Sequence, residues 1–220
     1  MQSEGDNRDN RDDHHHSSLD LGTLNEAQRQ AVLTTEGPLL VLAGAGSGKT
    51  RVLTWRIARL IADCGVEPWQ ILAITFTNKA AGEMRARIAG MLGAAASGMW
   101  VFTYHAACVR ILRASPDGAE LLGYRRNFTI YDDDDAKRLV KDIMRELDID
   151  PKTFPLATIR HRISQAKNEL LRPDDLDAAG FGSAPIDRYA TAVYARYEDR
   201  LRANNAMDFD DLLLNVVRLF

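Results

Sequence analysis

Residues 43–50 read Ala-Gly-Ala-Gly-Ser-Gly-Lys-Thr, and these residue types at this spacing suit phosphate chemistry. Gly44, Gly46 and Gly48 let successive backbone N–H groups turn inward without Cβ clashes, which forms a nest for phosphate oxygens. Lys49 supplies a cation for the β- and γ-phosphates of a nucleotide, and Thr50 a hydroxyl for Mg2+. The pattern departs from G-x-x-x-x-G-K-[ST] only at its opening position, where Ala43 replaces glycine. Ala43 closes the preceding apolar run, so the cradle itself is left to Gly44, Ala45, Gly46, Ser47 and Gly48. A flexible Gly/Ser turn is the plain alternative. It does not explain why a lysine and a threonine follow at the motif's own spacing.

The flanks supply the elements such a loop requires. "PLLVLA" (38–43) is a short continuous apolar run, expected to be a strand buried on both faces of a parallel sheet. Helical spacing follows, with Leu53, Ile57, Leu60, Ile61 and Cys64 on one face. A helix N-terminus beginning at the loop adds partial positive charge toward bound phosphate. "ILAITF" (71–76) and "MWVFT" (99–103) read as further strands. Ala81, Met84, Ile88 and Leu92 mark the helix between them, and "YHAACVRILR" (104–113) a helix after them. Strands alternating with helices predict a doubly wound α/β domain.

Beyond residue 114 the rhythm changes. "FTIYD" supplies a short extended piece, after which the chain reads as helical. Ala136, Leu139, Val140, Ile143, Met144 and Leu147 form one stripe; Ile159, Ile163, Ala166 and Leu170 a second; Val193, Tyr194, Tyr197 and Leu201 a third. Asp132–Asp135 and the trio Asp208, Asp210 and Asp211 resemble metal clusters in composition. Their places ahead of helical stripes predict N-caps and dipole compensation instead. The organisation expected is a tail over 1–18, an ATP-binding domain over 19–114, a helical subdomain over 115–205 and a return to the first domain over 206–220.

Composition sets bounds. The net charge is -3, so any nucleic-acid surface must be local rather than a global basic field. Cys64 and Cys108 lie in apolar helical patterns without metal-ligand spacing, and read as small buried hydrophobes. The first eighteen residues are almost wholly polar and are expected to be disordered, with His14, His15 and His16 as at most a weak metal site. No apolar run reaches membrane-spanning length and no signal-peptide core opens the chain, so a cytoplasmic protein is expected.

Several ordered blocks together resemble the UvrD/Rep/PcrA family of superfamily 1A DNA helicases: "LNEAQRQAV", "GPLLVLAGAGSGKTRVLTWRIARLI", "ILAITFTNKAAGEMRARI", "VFTYHAACVRILR", "ISQAKNEL" and "MDFDDLL". They run in the family's order from Leu24 to the last residue. Loops of this family commonly open with alanine, as at Ala43. The resemblance implies a RecA-like P-loop NTPase fold, a parallel sheet with helices on both faces interrupted by an inserted α-helical subdomain. It implies an ATP-dependent 3′-to-5′ helicase or translocase using ATP and Mg2+ on single-stranded and duplex-junction DNA, with DNA-repair proteins as possible partners. The motor of a helicase–nuclease, a small-molecule P-loop kinase and a non-catalytic DNA-binding module remain the alternatives.

Residue roles follow from the same resemblance. Gln28 would hydrogen-bond the adenine edge and Arg51 would lie against its face. "TFTNKAA" (75–81) would contact DNA through Phe76, Thr77 and Asn78. "TYHAACVRILR" (103–113) would do so through Thr103, Tyr104 and His105, supported by Arg110. Tyr104 stands where many relatives have phenylalanine. Arg160, Arg162 and Lys167, in and beside "HRISQAKNEL" (161–170), would face duplex DNA, although a solvated basic face reads nearly as well. Taken alone, Phe76 is equally a core aromatic, Gln28 a solvated helix residue and His105 a structural one. No apolar strand ending in Asp-Glu, the usual second metal-binding element, occurs in the sequence. These 220 residues by themselves are therefore expected to bind nucleotide without turning it over.

Overall fold

The computed structural model describes residues 19–115, 117–176, 179–180 and 184–220. The expectations for the first eighteen residues, His14–His16 included, lie outside that range. The chain divides into two compact units, one ending at Phe102 and the other running from Thr103 to Phe220.

In the first unit, α1 (Glu26–Leu33) is followed by α2 (Lys49–Ala62), β1 (Leu72–Thr75), α3 (Asn78–Leu92) and β2 (Trp100–Thr103). Asn25 opens α1 with a capping box: its side chain accepts from the Gln28 N–H, and Gln28 reaches back to the Asn25 N–H. β1 and β2 form a two-stranded sheet. Against it lie Ala81, Met84 and Ile88 of α3, the stripe read from the sequence, together with Ile57 of α2. Arg85 ties α3 to the sheet by donating to the Val101 carbonyl at 2.6 Å.

Residues 38–43 depart from expectation. They form no strand, and Leu40 and Leu42 are 81% and 87% exposed. An apolar run is a strand only where a neighbouring backbone accepts its N–H and C=O groups. Among the described residues no strand pairs with this segment, and the single continuous sheet is replaced by two pairs of short strands. Cys64 also departs: α2 ends at Ala62, which leaves Cys64 exposed in the turn before Gly65. Cys108 is buried as expected, and burial pushes its thiol pKa up.

In the second unit, α4 (Tyr104–Ala114) and the short α5 (Gly118–Leu121) precede β3 (Thr129–Ile130). Then come α6 (Asp133–Glu146), α7 (Leu156–Asn168), α8 (Pro185–Ala203), β4 (Ala206–Met207) and α9 (Phe209–Leu219). Cys108 and Leu112 of α4 pack with Leu212 and Met207 around Phe128. The three stripes expected downstream meet in one core: Val140 and Ile143, Ile159 and Ile163, and Val193, Tyr194, Tyr197 and Leu201. Leu170 does not join its stripe. It follows the end of α7 with φ +62°, a left-handed conformation, and is half exposed. β3 and β4 pair in parallel, Thr129 beside Ala206 and Ile130 beside Met207. The chain thus leaves the pair after Ile130, builds α6–α8, and returns in register at Ala206. No helix among the described residues is long and apolar enough to cross a membrane.

Candidate functional site

The first unit contains the glycine loop. Gly46 and Gly48 adopt φ +75° and +85°, which few residues other than glycine take up. Gly48 is the N-cap of α2 and brings no side chain to it, so the first N–H groups of α2 have no side-chain cap. Ser47 Oγ donates to the Gly44 carbonyl at 2.7 Å and closes the loop on itself. The Lys49 ammonium lies back across it, donating to the carbonyls of Ala43 at 2.9 Å and Gly44 at 2.8 Å. Glycine backbone, uncapped helix N-terminus and a cation over the loop fit a bound phosphate chain. Thr50 is exposed on the first turn of α2.

Gln28 fastens this loop to α1, and Arg51 ties α2 to the segment ahead of α1. The Gln28 Nε2 donates to the Ser47 carbonyl at 3.0 Å, and Arg51 Nη2 donates to the Thr23 carbonyl at 3.0 Å. A Cβ at position 48 would stand 2.8 Å from the Gln28 Nε2. Glycine there serves both the backbone angle and the close approach of Gln28.

At the end of β1, Phe76 is 92% exposed. The backbone on either side of it is held. Thr75 Oγ1 donates to the Thr77 carbonyl at 3.1 Å, and Thr77 caps α3 by accepting from the Ala80 N–H at 3.1 Å. Asn78 is exposed at the first position of α3. An aromatic ring presented from a stiff strand-to-helix turn at the N-terminus of α3 suits a nucleobase with its phosphates.

The second unit holds the remaining candidates. Thr103 caps α4, its Oγ1 accepting from the Ala106 N–H at 3.3 Å. Tyr104 is half exposed, and Arg110 is exposed further along α4. The His105 ring meets Phe209 edge-on, with centroids 5.2 Å apart and planes at 69°. Phe209 was not foreseen; its signal was its position between two helix-capping aspartates.

Of the basic residues of α7, Lys167 turns inward, which corrects its expected role toward DNA; Arg160 and Arg162 stay partly exposed. Lys167 is 1% exposed. Its ammonium lies 2.6 Å from Asp211, 2.9 Å from Asp208 and 2.9 Å from Glu198. The Tyr197 ring lies beneath it at 4.9 Å, and the Tyr197 hydroxyl donates to Asp208 at 2.9 Å. Arg160 pairs with Asp133, and Arg162 with Asp187 at 3.3 Å. The sequence did hold a sign of this: Lys167 falls on the face of Ile159, Ile163 and Ala166, where a solvated lysine does not belong. The acidic runs serve as capping boxes, Asp132 with Asp135 and Asp208 with Asp211.

Burial alone would lower the Lys167 pKa, but Asp211, Asp208 and Glu198 outweigh it and hold the amine well above the ordinary lysine value. With three carboxylates to one ammonium, burial pushes Asp211 up to about 7, the Asp208 and Glu198 charges adding to the rise. An acid whose folded pKa exceeds its ordinary 3.8 binds a proton that the unfolded chain has released between those two values. Stability should therefore fall as pH rises from about 4 to about 7, by on the order of 4 kcal/mol. Asp211→Asn should flatten that slope. Chemical denaturation at pH 5 and pH 8 checks it, and equal slopes in both proteins would refute it.

A sequence-family model described as the UvrD/REP helicase N-terminal domain matches residues 24–220. The chain is 48% identical over 200 residues to the ATP-dependent DNA helicase PcrA of Bacillus subtilis, covering 91% of this chain and 26% of that protein. The PcrA of Staphylococcus epidermidis is 48% identical over 199 residues (90% and 26%), and that of Staphylococcus aureus 46% over 202 residues (91% and 27%). The chain spans about a quarter of the length of these relatives. With the family's domain matched from Leu24 to Phe220, the chain belongs to the UvrD/REP helicases, in their N-terminal region.

Proposed function

We propose that the chain forms the nucleotide-binding and strand-contacting part of an ATP-dependent DNA helicase that moves 3′ to 5′. The observation that carries this reading is the loop at 44–48. It places two left-handed glycines before an uncapped helix, with the Lys49 ammonium held across the loop by the Ala43 and Gly44 carbonyls. Gly44, Ala45, Gly46, Ser47 and Gly48 would cradle the phosphates and Lys49 would neutralise them, with Ala43 ending the approach to the loop. Thr50 would hold Mg2+, which when bound offsets phosphate charge. Gln28 and Arg51 flank the loop and would receive the adenine, exchanging present contacts to Ser47 and Thr23 for it.

Single-stranded DNA is the proposed polymer. Phe76, Thr77 and Asn78 would engage it from the first unit; Thr103, Tyr104, His105 and Arg110 from the second. Residues 115–205 are read as a helical subdomain inserted in a RecA-like ATP-binding domain. Support comes from the parallel β3–β4 pair, which brackets α6–α8 at adjacent points of departure and return.

Fluorescence anisotropy with a labelled oligo(dT) and titration with a fluorescent ATP analogue test the two halves of the reading. Phe76→Ala should weaken oligonucleotide binding by about fivefold to a hundredfold, the worth of one stacked base. Its melting temperature should not move, because a ring 92% exposed contributes little to the core. Unchanged oligonucleotide affinity would remove Phe76 from the interface, and absence of ATP-analogue binding by the parent chain would remove the nucleotide site.

A further inference from the structure

Phe209 opens α9, and the chain is pinned on both sides of it. Immediately before it, both carboxylate oxygens of Asp208 are engaged. Oδ1 accepts from the Asp211 N–H at 2.8 Å, and Oδ2 accepts from Lys167 Nζ and the Tyr197 hydroxyl, each at 2.9 Å. Two residues after it, Asp211 accepts from Lys167 Nζ at 2.6 Å through Oδ1 and from the Asp208 N–H at 3.2 Å through Oδ2. The anchoring groups come from other helices: Lys167 from the last turn of α7, Tyr197 and Glu198 from α8. Phe209 itself is 45% exposed, and its ring lies against His105, the second residue of α4.

A cap shared between two aspartates and one buried ammonium leaves the first turn of α9 little room to rotate, since every carboxylate oxygen of the pair is used. An exposed imidazole, by contrast, samples several rotamers unless a neighbour selects one. The edge-on contact with Phe209 is the selecting neighbour here.

We propose that Lys167 is a positioning residue. By gathering Asp208 and Asp211 from the start of α9 it fixes the Phe209 ring, and that ring sets the orientation of His105 toward a nucleic-acid strand. The mechanical part stands on the geometry above, and the strand-contact part rests on the function proposed for this chain. A helix regarded as a basic DNA-facing element thus acts from within, through α9, on a residue of α4.

Two readouts on the 220-residue chain separate these parts. The first is the NMR shift of the His105 ring protons, assigned with His105→Gln. Phe209→Ala should move them through loss of the ring current. Asp211→Asn, an isostere that lessens the buried negative charge, should move the same signals, as should Lys167→Met where it folds. The second is oligo(dT) anisotropy: Asp211→Asn should weaken binding about three- to tenfold. Adding Phe209→Ala to it should weaken binding no further than Phe209→Ala alone. A role for the cluster in bulk stability alone would lower the melting temperature without moving His105. His105 signals unmoved in Asp211→Asn, or fully additive losses in the double variant, overturn the proposal. Failure of the parent chain to bind oligo(dT) would overturn the proposed function, while the His105 shifts would still decide the positioning role.

Discussion

Replacing Lys49 with alanine should strongly weaken nucleotide binding and leave the fold intact. The ammonium now rests on the carbonyls of Ala43 and Gly44, a site that phosphate oxygens contest with full negative charge. Charge-assisted hydrogen bonds are worth about 1.5–3 kcal/mol each. Losing one or two of them weakens binding by about tenfold to about ten-thousandfold on the usual scale of about 1.4 kcal/mol per tenfold. Stability should change by less than about 0.5 kcal/mol, because the residue is exposed and the carbonyls it leaves are open to water. Titration with a fluorescent ATP analogue, alongside a thermal melt of the same preparation, makes the comparison. Retention of affinity within threefold would show that the loop lysine does not meet phosphate.

The opposite profile is expected at the other lysine of interest. Lys167→Met fits a side chain of similar length into the same buried place but leaves Asp208, Asp211 and Glu198 facing one another without a counter-charge. Breaking a buried ion cluster by removing one sign costs about 3–5 kcal/mol, where replacing the whole cluster with apolar groups often costs nothing. In a chain of this size that corresponds to a fall in melting temperature of roughly 6–20 °C. The double variant Lys167→Met/Asp211→Asn should be less destabilised than the sum of its parts, because the second change relieves repulsion created by the first. Added salt should rescue little, since Lys167 has no exposed surface to screen. A Lys167→Met protein as stable as the parent would mean that the three carboxylates share protons well enough to need no ammonium.

These two lysines also mark how far a sequence can be read. Lys49 was legible because everything that defines it is local: three glycines before it, a threonine after it and a helix starting at its own residue. Lys167 was not, although the letters around it are as distinctive. Its partners Asp208 and Asp211 lie 41 and 44 residues away, and a charge in a helical pattern reads as solvent-facing until the partners are in place. The misfit of a lysine on the apolar face of Ile159, Ile163 and Ala166 was the one local clue.

The same division runs through the fold. The stripes on α3, α6, α7 and α8 were fixed by residues three and four apart, which share a helix face whatever the rest of the chain does. The caps at Asp132 and Asp208 were legible for the same reason, because a capping box closes over three residues. Residues 38–43 carry as strong an apolar signal, yet they form no strand here, since a ladder must be supplied by another segment. Composition cannot name that segment. Cys64 and Leu170 were misplaced because each lies just past a helix end, where one residue decides between the buried face and solvent.

What the sequence determined by itself was the set of chemistries available: a glycine loop with its lysine and threonine, suited to phosphate, an aromatic at the end of β1, and the aspartate caps that start α6 and α9. Those depend on contacts within a few residues, whose geometry the backbone alone dictates. The tertiary structure decided which charges are spent inside the protein and which are offered outside. It buried Lys167 among carboxylates from two other helices, tied Arg160 and Arg162 to aspartates, left Phe76 exposed and set Phe209 against His105. The energy of an ionic group depends on burial and on partners distant in the chain, and neither exists until the helices have packed.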